Sequence, residues 1–265
     1  MKGGIAMMML TLTRRKLIRI CVYSALILVG VVIGVYAVIS AIDTSAASRK
    51  VPIYSVERGD NKIAITYDVA WGNSDTQSLL TMLEELDVKV TFFVTGEWCD
   101  KYPEDVKLFA AAGHDIQNHS DKHPHVNKVG TKELIADTRD AAKKIEALTA
   151  VYPTLYRTPY GEYNDQNLTT LEGMGFKVIQ FDCDSIDWRD ESADKITKRV
   201  LKKVKSGSIL LFHNEKANTT EALPNIVSKL REDGYEFVLV KDLIYYDEYE
   251  IDHEGRQHTT ATPMD

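Results

Sequence analysis

Residues 62–72 read Lys-Ile-Ala-Ile-Thr-Tyr-Asp-Val-Ala-Trp-Gly, a largely hydrophobic stretch that delivers the carboxylate of Asp68 just before a turn. β-Branched and aromatic residues of this kind are typical of a strand. The stretch therefore predicts a strand over Lys62–Asp68, followed by a loop and a helix that begins near Ser74. At the strand end, Asp68 either accepts a proton from water or caps the helix, and this stretch alone favours neither role.

The same order of strand, loop and helix repeats along the rest of the chain. Further strand candidates are 89–95, 114–118, 154–157, 177–182, 208–213 and 235–240, and helical patterns cover 76–86, 103–112, 132–148, 194–204 and 221–233. Gly113, Gly175 and Gly234 each follow a helical run, where a left-handed cap needs glycine. Repeated βα units predict one parallel sheet, either a barrel or a doubly wound sheet.

Chemically capable side chains collect at the ends of these strands, where parallel α/β folds place their active sites. His119 and His123 are four residues apart, so they can face one Zn²⁺ if the segment is helical or tightly turned. A solvated histidine-rich turn gives the same pattern. Arg157 ends the next strand, where an arginine either orients a carboxylate by bidentate hydrogen bonding or forms a surface salt bridge.

Two more strand ends carry acids and a histidine. Asp182, Asp184 and Asp187 fall within six positions beside Trp188, which is unusual for a simple loop although acidic turns are common. The strand over 208–213 is apolar until it delivers His213. A histidine in an apolar run is most often a satisfied core residue, but its place at the strand end favours acid–base chemistry.

Taken in order, these stretches resemble the motifs of the NodB-homology polysaccharide deacetylases, carbohydrate esterase family four. The matching residues are Thr66-Tyr67-Asp68, His119-Ser120-x-x-His123-Pro124, Arg157-x-Pro159-Tyr160-Gly161, Asp184-x-x-Asp187-Trp188 and Leu211-x-His213. The resemblance covers about 62–244. The Asp-Val-Ala-Trp-Gly run from Asp68, the Tyr-Gly-Glu-Tyr run from Tyr160, the Leu-Phe-His-Asn run from Leu211 and the N-terminal apolar segment are similar to the PdaB-like sporulation deacetylases.

The resemblance implies a distorted (β/α) barrel of the polysaccharide deacetylase type, with a groove over the strand ends. It implies hydrolysis of N-acetyl groups on amino sugars of peptidoglycan or a related glycan, assisted by a divalent metal, Zn²⁺ or Co²⁺. By similarity, Asp68 is the general base and Arg157 positions it. His213 is the general acid, and Asp187 is the partner of the acid. His119 and His123 bind the metal, and the residues that contact the substrate are Tyr160, Trp188 and Trp71.

One position departs from the resemblance. Much of the family has a second aspartate after the base as a metal ligand, whereas this chain has Val69, which cannot bind a metal. The site must then recruit Asp68, another acid or water as a further ligand, or bind the metal weakly. Asn214 likewise replaces a frequent aspartate. The alternative hypothesis is a catalytically inactive glycan-binding or structural envelope protein with a degenerate metal site.

The N-terminal part of the chain carries a membrane segment. Residues 20–42 contain no charge and are long enough to cross a ~30 Å hydrocarbon core. Four basic residues precede this segment within 14–19, and only Arg49 and Lys50 follow it closely, so the positive-inside rule places the domain outside the cytoplasm. An uncleaved anchor is favoured over a signal peptide cleaved near 46–47, because the apolar stretch exceeds a usual signal core.

This organisation gives five segments: a basic cytoplasmic N-terminus over 1–19, a transmembrane segment over 20–42, a linker over 43–60, a deacetylase domain over 61–250 and a loosely ordered polar tail over 251–265. The composition, with 44% hydrophobic and 27% charged residues, is that of a globular chain, and a net charge of −7 argues against a nucleic-acid partner. We expect a monomer. Cys99 and Cys183 are interpreted as separate packing residues, with a disulfide between them as the alternative.

Overall fold

The computed structural model describes residues 14–45 and 49–261, which belong to two compact units divided after Ser48. The first unit contains helix α1, Arg14–Ser45. Its segment Ile18–Tyr36 has a mean hydropathy of 2.4, so it is long and apolar enough to cross a membrane. A membrane anchor and a signal sequence both fit this helix. Residues 1–13 of the expected cytoplasmic N-terminus lie outside the described part of the chain.

The second unit alternates strands with helices. Its strands are β1 Ser55–Val56, β2 Lys62–Val69, β3 Thr91–Val94, β4 Asp115–Asn118, β5 Leu155–Tyr156, β6 Lys177–Val178, β7 Cys183–Asp184, β8 Ile209–His213, β9 Glu236–Phe237, β10 Tyr249–Ile251 and β11 Arg256–Thr259. Its helices are α2 Thr76–Glu85, α3 Gly96–Lys101, α4 Pro103–Ala111, α5 Thr131–Thr149, α6 Asp165–Gly173, α7 Ala193–Lys203, α8 Ala217–Glu232 and α9 Val240–Leu243. Most boundaries lie within two residues of the sequence prediction, although α8 begins four residues earlier.

The main sheet is parallel, as the repeated βα units predict. Its order is β6-β5-β4-β3-β2-β8-β7, and β9 pairs with β2 off this path. The sheet curls into a half-barrel with helices outside it, which confirms the distorted (β/α) barrel and excludes the doubly wound alternative. Gly113, Gly175 and Gly234 have φ values of 83°, 92° and 83°, so the predicted left-handed caps are confirmed.

The alternation of side chains along the strands decides what faces the interior of the barrel. In β2, Ile63 and Ile65 pack in the hydrophobic cluster beneath the helices, whereas Ala64 packs in the inner cluster with residues of β3 and β8. With a side-chain period of two, Asp68 shares the inner face with Ala64. The parallel register also pairs Asp68 with His213, so β2 and β8 deliver both groups to one end of the barrel.

Two expectations at the edges of the domain are wrong. Part of the predicted linker belongs to the fold, because Ile53 and Val56 are buried in the inner cluster. The predicted loose tail forms the hairpin β10–β11, and β1 pairs in parallel with β11 to complete a three-stranded sheet. The sequence pattern misses this sheet because its strands are only two to four residues long and largely polar, so they show no hydrophobic period.

The predicted strand over 177–182 also differs from the structure. Only its first two residues form a strand, β6, at one edge of the sheet, and the next strand, β7, begins just beyond the predicted range at the other edge. The chain crosses between the two edges through residues 179–182, where Asp182 accepts hydrogen bonds from the backbone of Ile209 and the hydroxyl of Ser208. Cys99 and Cys183 are buried and unbridged, as the favoured interpretation predicts.

Candidate active site

A groove of about 780 Å³ lies over the carboxyl ends of the strands. Seven of the nine residues assigned by resemblance line it: Asp68, Trp71, His119, His123, Tyr160, Trp188 and His213. The other two, Arg157 and Asp187, are buried behind this lining and contact it directly. The structure therefore brings all nine sequence-assigned residues to one place.

Asp68 is held by a buried arginine. Nη1 of Arg157 donates to Oδ1 of Asp68 at 2.8 Å and to Oγ1 of Thr66 at 2.8 Å. Burial raises the pKa of Asp68, but the neighbouring His119 and Arg157 outweigh burial and lower the pKa overall. The carboxylate is consequently ionised at neutral pH, and the surface salt bridge that the sequence left open for Arg157 is excluded because its side chain is 0% exposed.

The imidazoles of His119 and His123 converge, with their ring centroids 4.9 Å apart. Nδ1 of His119 lies 2.9 Å from the carbonyl oxygen of Arg157, which can only accept, so Nδ1 carries the proton and Nε2 presents a lone pair to the groove. Burial is the main cause that lowers the pKa of His119 and takes that of His123 to about 4. Both rings are therefore neutral at pH 7, the form that binds metal.

The loop that carries these histidines is not helical. Ser120 and His123 have φ values of 71° and 53°, so the chain turns tightly and brings the second ring back toward the first. The carboxylate of Asp137 on α5 accepts the backbone N–H groups of Asp121 and Lys122, each at 3.0 Å. The turn agrees with one of the two conformations that the sequence predicts, whereas Asp137, 16 residues after Asp121, carries no local signal of this contact.

The donors present fit a divalent cation in part. Nε2 of His119 and Oδ2 of Asp68 are 3.6 Å apart, close to the ~3.4 Å expected of two ligands at ~2.1 Å on one tetrahedral ion. Val69 is fully buried beneath the helices and supplies no ligand. Among residues 14–45 and 49–261, no set of three His, Cys, Asp or Glu side chains is arranged as a complete metal site.

His213, on the strand next to that of Asp68, is held by a buried carboxylate. Its Nδ1 lies 2.7 Å from Oδ1 of Asp187, whose Oδ2 accepts the His213 backbone N–H at 2.8 Å and the Thr219 hydroxyl at 2.7 Å. Burial lowers the pKa of His213, but its hydrogen bond and ion pair with Asp187 outweigh burial and raise it. Thr219 lies on α8 and carries no motif signal, so sequence analysis did not find it.

Three exposed aromatic rings border the groove. The ring centroid of Trp71 lies 5.9 Å from those of both His123 and His213. Tyr160, with a φ of 59°, contacts His123 at 4.6 Å between centroids. Trp71, Tyr160 and Trp188 are 51%, 59% and 48% exposed, unlike the buried aromatic residues of the core. Flat apolar faces beside polar groups suit the apolar faces of sugar rings.

Comparison with known proteins identifies the family. A family model described as polysaccharide deacetylase matches residues 55–179. A peptidoglycan-N-acetylglucosamine deacetylase of Bacillus cereus is 31% identical over 198 residues, which are 73% of this chain and 92% of that protein. The chain belongs to the polysaccharide deacetylase family. The PgdA peptidoglycan-N-acetylglucosamine deacetylase of Listeria monocytogenes is 33% identical over 82% of this chain, but the match spans only 45% of that longer protein.

A solved structure of this polysaccharide deacetylase family adds a contrast. The family-four pseudoenzyme of Bacillus anthracis superposes with a TM-score of 0.71 at 28% identity, covering 79% of this chain and 72% of that one. A mutant of that pseudoenzyme, described as having restored enzymatic activity, superposes with a TM-score of 0.70 at 30% identity over 73% of this chain and 71% of its own. The fold thus accommodates both active and inactive members.

Proposed function

We propose that the domain hydrolyses N-acetyl groups on amino sugars of peptidoglycan or a related cell-wall glycan, releasing acetate. The observation that carries this proposal is the presence of two held groups in one groove, an ionised Asp68 bonded to Arg157 and a His213 bonded to Asp187. Amide hydrolysis needs a base to deprotonate water and an acid to protonate the departing nitrogen. Membership of a family that includes peptidoglycan deacetylases supports the substrate class.

Asp68 acts as the base in this proposal. Its Oδ1 is engaged by Arg157, whereas Oδ2 has no donor within hydrogen-bond distance in the described chain and faces the groove side occupied by His119. Oδ2 takes a proton from water as the water oxygen attacks the acetyl carbonyl carbon. Arg157 keeps the carboxylate ionised and fixes its orientation before the reaction begins.

His213 acts as the acid. Because Asp187 is bonded to Nδ1, the opposite ring nitrogen, Nε2, is left to donate into the groove. When the C–N bond breaks, Nε2 gives its proton to the amine nitrogen of the sugar, and the acyl group leaves as acetate. Asp187 stabilises the imidazolium form, so the acid is charged before the reaction and neutral after it.

The family is metal-dependent in general, and we propose that His119 and His123 hold the divalent cation here. Bound there, a Zn²⁺ or Co²⁺ ion would polarise the acetyl carbonyl and acidify water. With Val69 in place of a further carboxylate, and with Oδ2 of Asp68 acting as the base, we expect weak binding in which solvent completes the ion's coordination. Neutral imidazoles and an unprotonated Nε2 on His119 support this assignment.

Two observations favour a second function. Val69 supplies no ligand, and a pseudoenzyme shares the fold, so a protein that binds glycan without hydrolysing it is the alternative. It would use the same exposed Trp71, Tyr160 and Trp188. Against it stands the complete Asp68–Arg157 and His213–Asp187 arrangement, since glycan binding alone does not require two buried ion pairs.

The cellular setting is part of the proposal. Helix α1 supports anchoring of the domain on the outer side of the membrane, with the basic N-terminus in the cytoplasm. The likeness of the Asp-Val-Ala-Trp-Gly run to PdaB-like proteins supports a role in sporulation. The domain boundaries we propose are those of the sequence analysis, moved to include residues 51–60 and 251–261.

The test is acetate release by the full chain in detergent, with defined N-acetylglucosamine oligomers and with peptidoglycan fragments. Each substrate is assayed with added Zn²⁺, with added Co²⁺ and with chelator. We expect acetate and free amine in equal amounts, with more product when a cation is present. Glycan binding without acetate from any substrate would establish the alternative function.

A further inference from the structure

The segment that carries Trp71 has no regular structure, although its side chain borders the groove. It spans the loop between the end of β2 and the start of α2. The Trp71 ring is half exposed, yet it is equally distant from the rings of His123 and His213. A loop residue with so little burial needs its backbone fixed from elsewhere if the ring is to hold one position.

The carbonyl groups of this loop are fixed by two side chains. Nδ2 of Asn214 donates to the carbonyl oxygen of Gly72 at 2.8 Å and to that of Trp71 at 3.3 Å. The indole N–H of Trp98 donates to the same two carbonyl oxygens, at 2.9 and 2.6 Å. Asn214 is 2% exposed, so its donors meet little competition from water.

Glu215, the residue after Asn214, fixes the backbone N–H side of the same loop. Its carboxylate accepts the backbone N–H of Ser74, and it also accepts the Ser74 hydroxyl at 2.9 Å. In return, the backbone N–H of Glu215 donates to Oδ2 of Asp75 at 2.7 Å. The two loops therefore exchange hydrogen bonds in both directions, in the manner of a reciprocal cap.

The two loops approach each other closely at Gly72. A Cβ atom built at Gly72 would lie 2.9 Å from Cδ of Glu215. Glu215 itself has a φ of 60°, a left-handed conformation that costs energy in a residue other than glycine. Such strain persists where surrounding contacts determine the conformation, and here those contacts are the hydrogen bonds to Ser74 and Asp75.

We propose that Asn214 and Glu215 are positioning residues that hold Trp71 as a fixed wall between His123 and His213, and so determine how the N-acetylated sugar sits in the groove. This inference rests on the proposed deacetylation. The amide of Asn214 is essential to it, because aspartate at this position would turn an oxygen toward two carbonyl oxygens and repel them. The asparagine that replaces a frequent aspartate is thus matched to the Trp71–Gly72 turn.

The first measurement needs no catalysis. In a Trp188→Phe chain the remaining tryptophans are the exposed Trp71 and the buried Trp98. A second chain that also carries Trp71→Phe gives the fluorescence of Trp98 alone, which is then subtracted. We expect Asn214→Asp and Glu215→Gln each to lower the fluorescence anisotropy of Trp71. The matched controls are Asn225→Asp and Glu221→Gln, which change exposed residues of α8 and leave the anisotropy at its wild-type value.

The second measurement is kinetic and uses chains that retain the native Trp188. When Trp71 is no longer held in place, we expect KM to rise about ten-fold, which corresponds to the loss of roughly one hydrogen bond from substrate binding. We expect kcat to change much less. Far-ultraviolet circular dichroism confirms folding, and Glu215→Gln serves if Asn214→Asp does not fold. Unchanged Trp71 anisotropy in a folded variant overturns the inference. A fall in anisotropy when even the wild-type chain releases no acetate supports the positioning role and rejects the proposed function instead.

Discussion

Oδ1 of Asp187 lies 2.7 Å from Nδ1 of His213, and the other oxygen of the same carboxylate accepts two further hydrogen bonds, from the His213 backbone and from Thr219. The carboxylate is 1% exposed and cannot turn away without losing all three contacts. The imidazole is therefore fixed in orientation, and its pKa is raised by a partner that does not itself reach the groove.

This relationship predicts a change in the pH profile of Asp187→Asn. The acid must be protonated to act, so activity persists below the raised pKa of His213 and falls as pH rises through it. Removing the negative charge lowers that pKa and moves the alkaline limb of kcat to lower pH. The control is Asp194→Asn, an exposed residue of α7, which keeps the wild-type limb. An unmoved limb in Asp187→Asn would mean that another group is the acid.

Replacing Arg157 by Met should destabilise the fold. The guanidinium is fully buried, and the change leaves the carboxylate of Asp68 buried without its cation. Breaking a buried pair of this kind costs about 3–5 kcal/mol in the free energy of unfolding. Denaturant titration measures the loss, and the double variant Asp68→Asn/Arg157→Met recovers part of it because no lone charge remains. A single variant as stable as the wild type is incompatible with this account.

Glycine at position 207 should be needed for the docking of β1. A Cβ atom there would lie 1.7 Å from the carbonyl oxygen of Val56, and the φ of 83° disfavours any other residue. We expect Gly207→Ala to lower the free energy of unfolding by more than about 2 kcal/mol. Gly59→Ala, with nothing within 4 Å of the added atom, is the matched control. Equal stabilities of the two variants in denaturant would show that β1 is not docked as described.

The hairpin β10–β11 should stabilise the domain in a pH-dependent way through His258. Its two ring nitrogens each lie 2.8 Å from a carboxylate oxygen, one on Glu57 and one on Asp252, and these hydrogen bonds raise its pKa. Because the pKa of His258 is higher in the folded than in the unfolded chain, its contribution to stability is complete below the unfolded-state pKa of about 6.5. That contribution is lost as the pH rises through the folded-state pKa.

The check is the melting temperature of wild type and of His258→Gln across a pH series. At acidic pH the wild type should have a higher melting temperature than His258→Gln. The difference between the two melting temperatures should shrink as the pH is raised. Because other histidines titrate equally in both proteins, only the difference is interpreted. A difference that stays constant with pH would contradict the role of His258.

The sequence predicts the interior strands of the sheet well because local pattern and burial agree there. β8 is apolar until its last residue, His213, and β2 is mostly apolar before Asp68, so the strands and the position of the groove both follow from the sequence pattern. The order of motifs then places Arg157 and Asp187 beside these groups, where the structure has them. The role of a side chain at a strand end is less visible, because the stretch around Asp68 alone favours neither a base nor a helix cap.

The remaining features depend on contacts between distant parts of the chain. Thr219 and Asp137 lie on helices whose local sequence shows only amphipathic spacing, and nothing in it indicates which hydroxyl or carboxylate reaches the site. The strand β1 is too short for periodicity, and its partner β11 lies at the other end of the domain. The loop exchange between Glu215 and Asp75 spans 140 residues and is equally invisible to sequence pattern.

Acetate release by the wild-type chain and by Asp68→Asn, from one N-acetylglucosamine oligomer at saturating concentration, tests the central claim most directly. We predict acetate and free amine in equal amounts from the wild type, and a rate at least about 10²-fold lower from the variant, because the buried amide cannot take a proton from water. Glycan binding should be retained by both. Wild-type release that the substitution leaves unchanged would contradict the assignment of Asp68 as the base. No release by the wild type from this oligomer or from peptidoglycan fragments would contradict the deacetylase function.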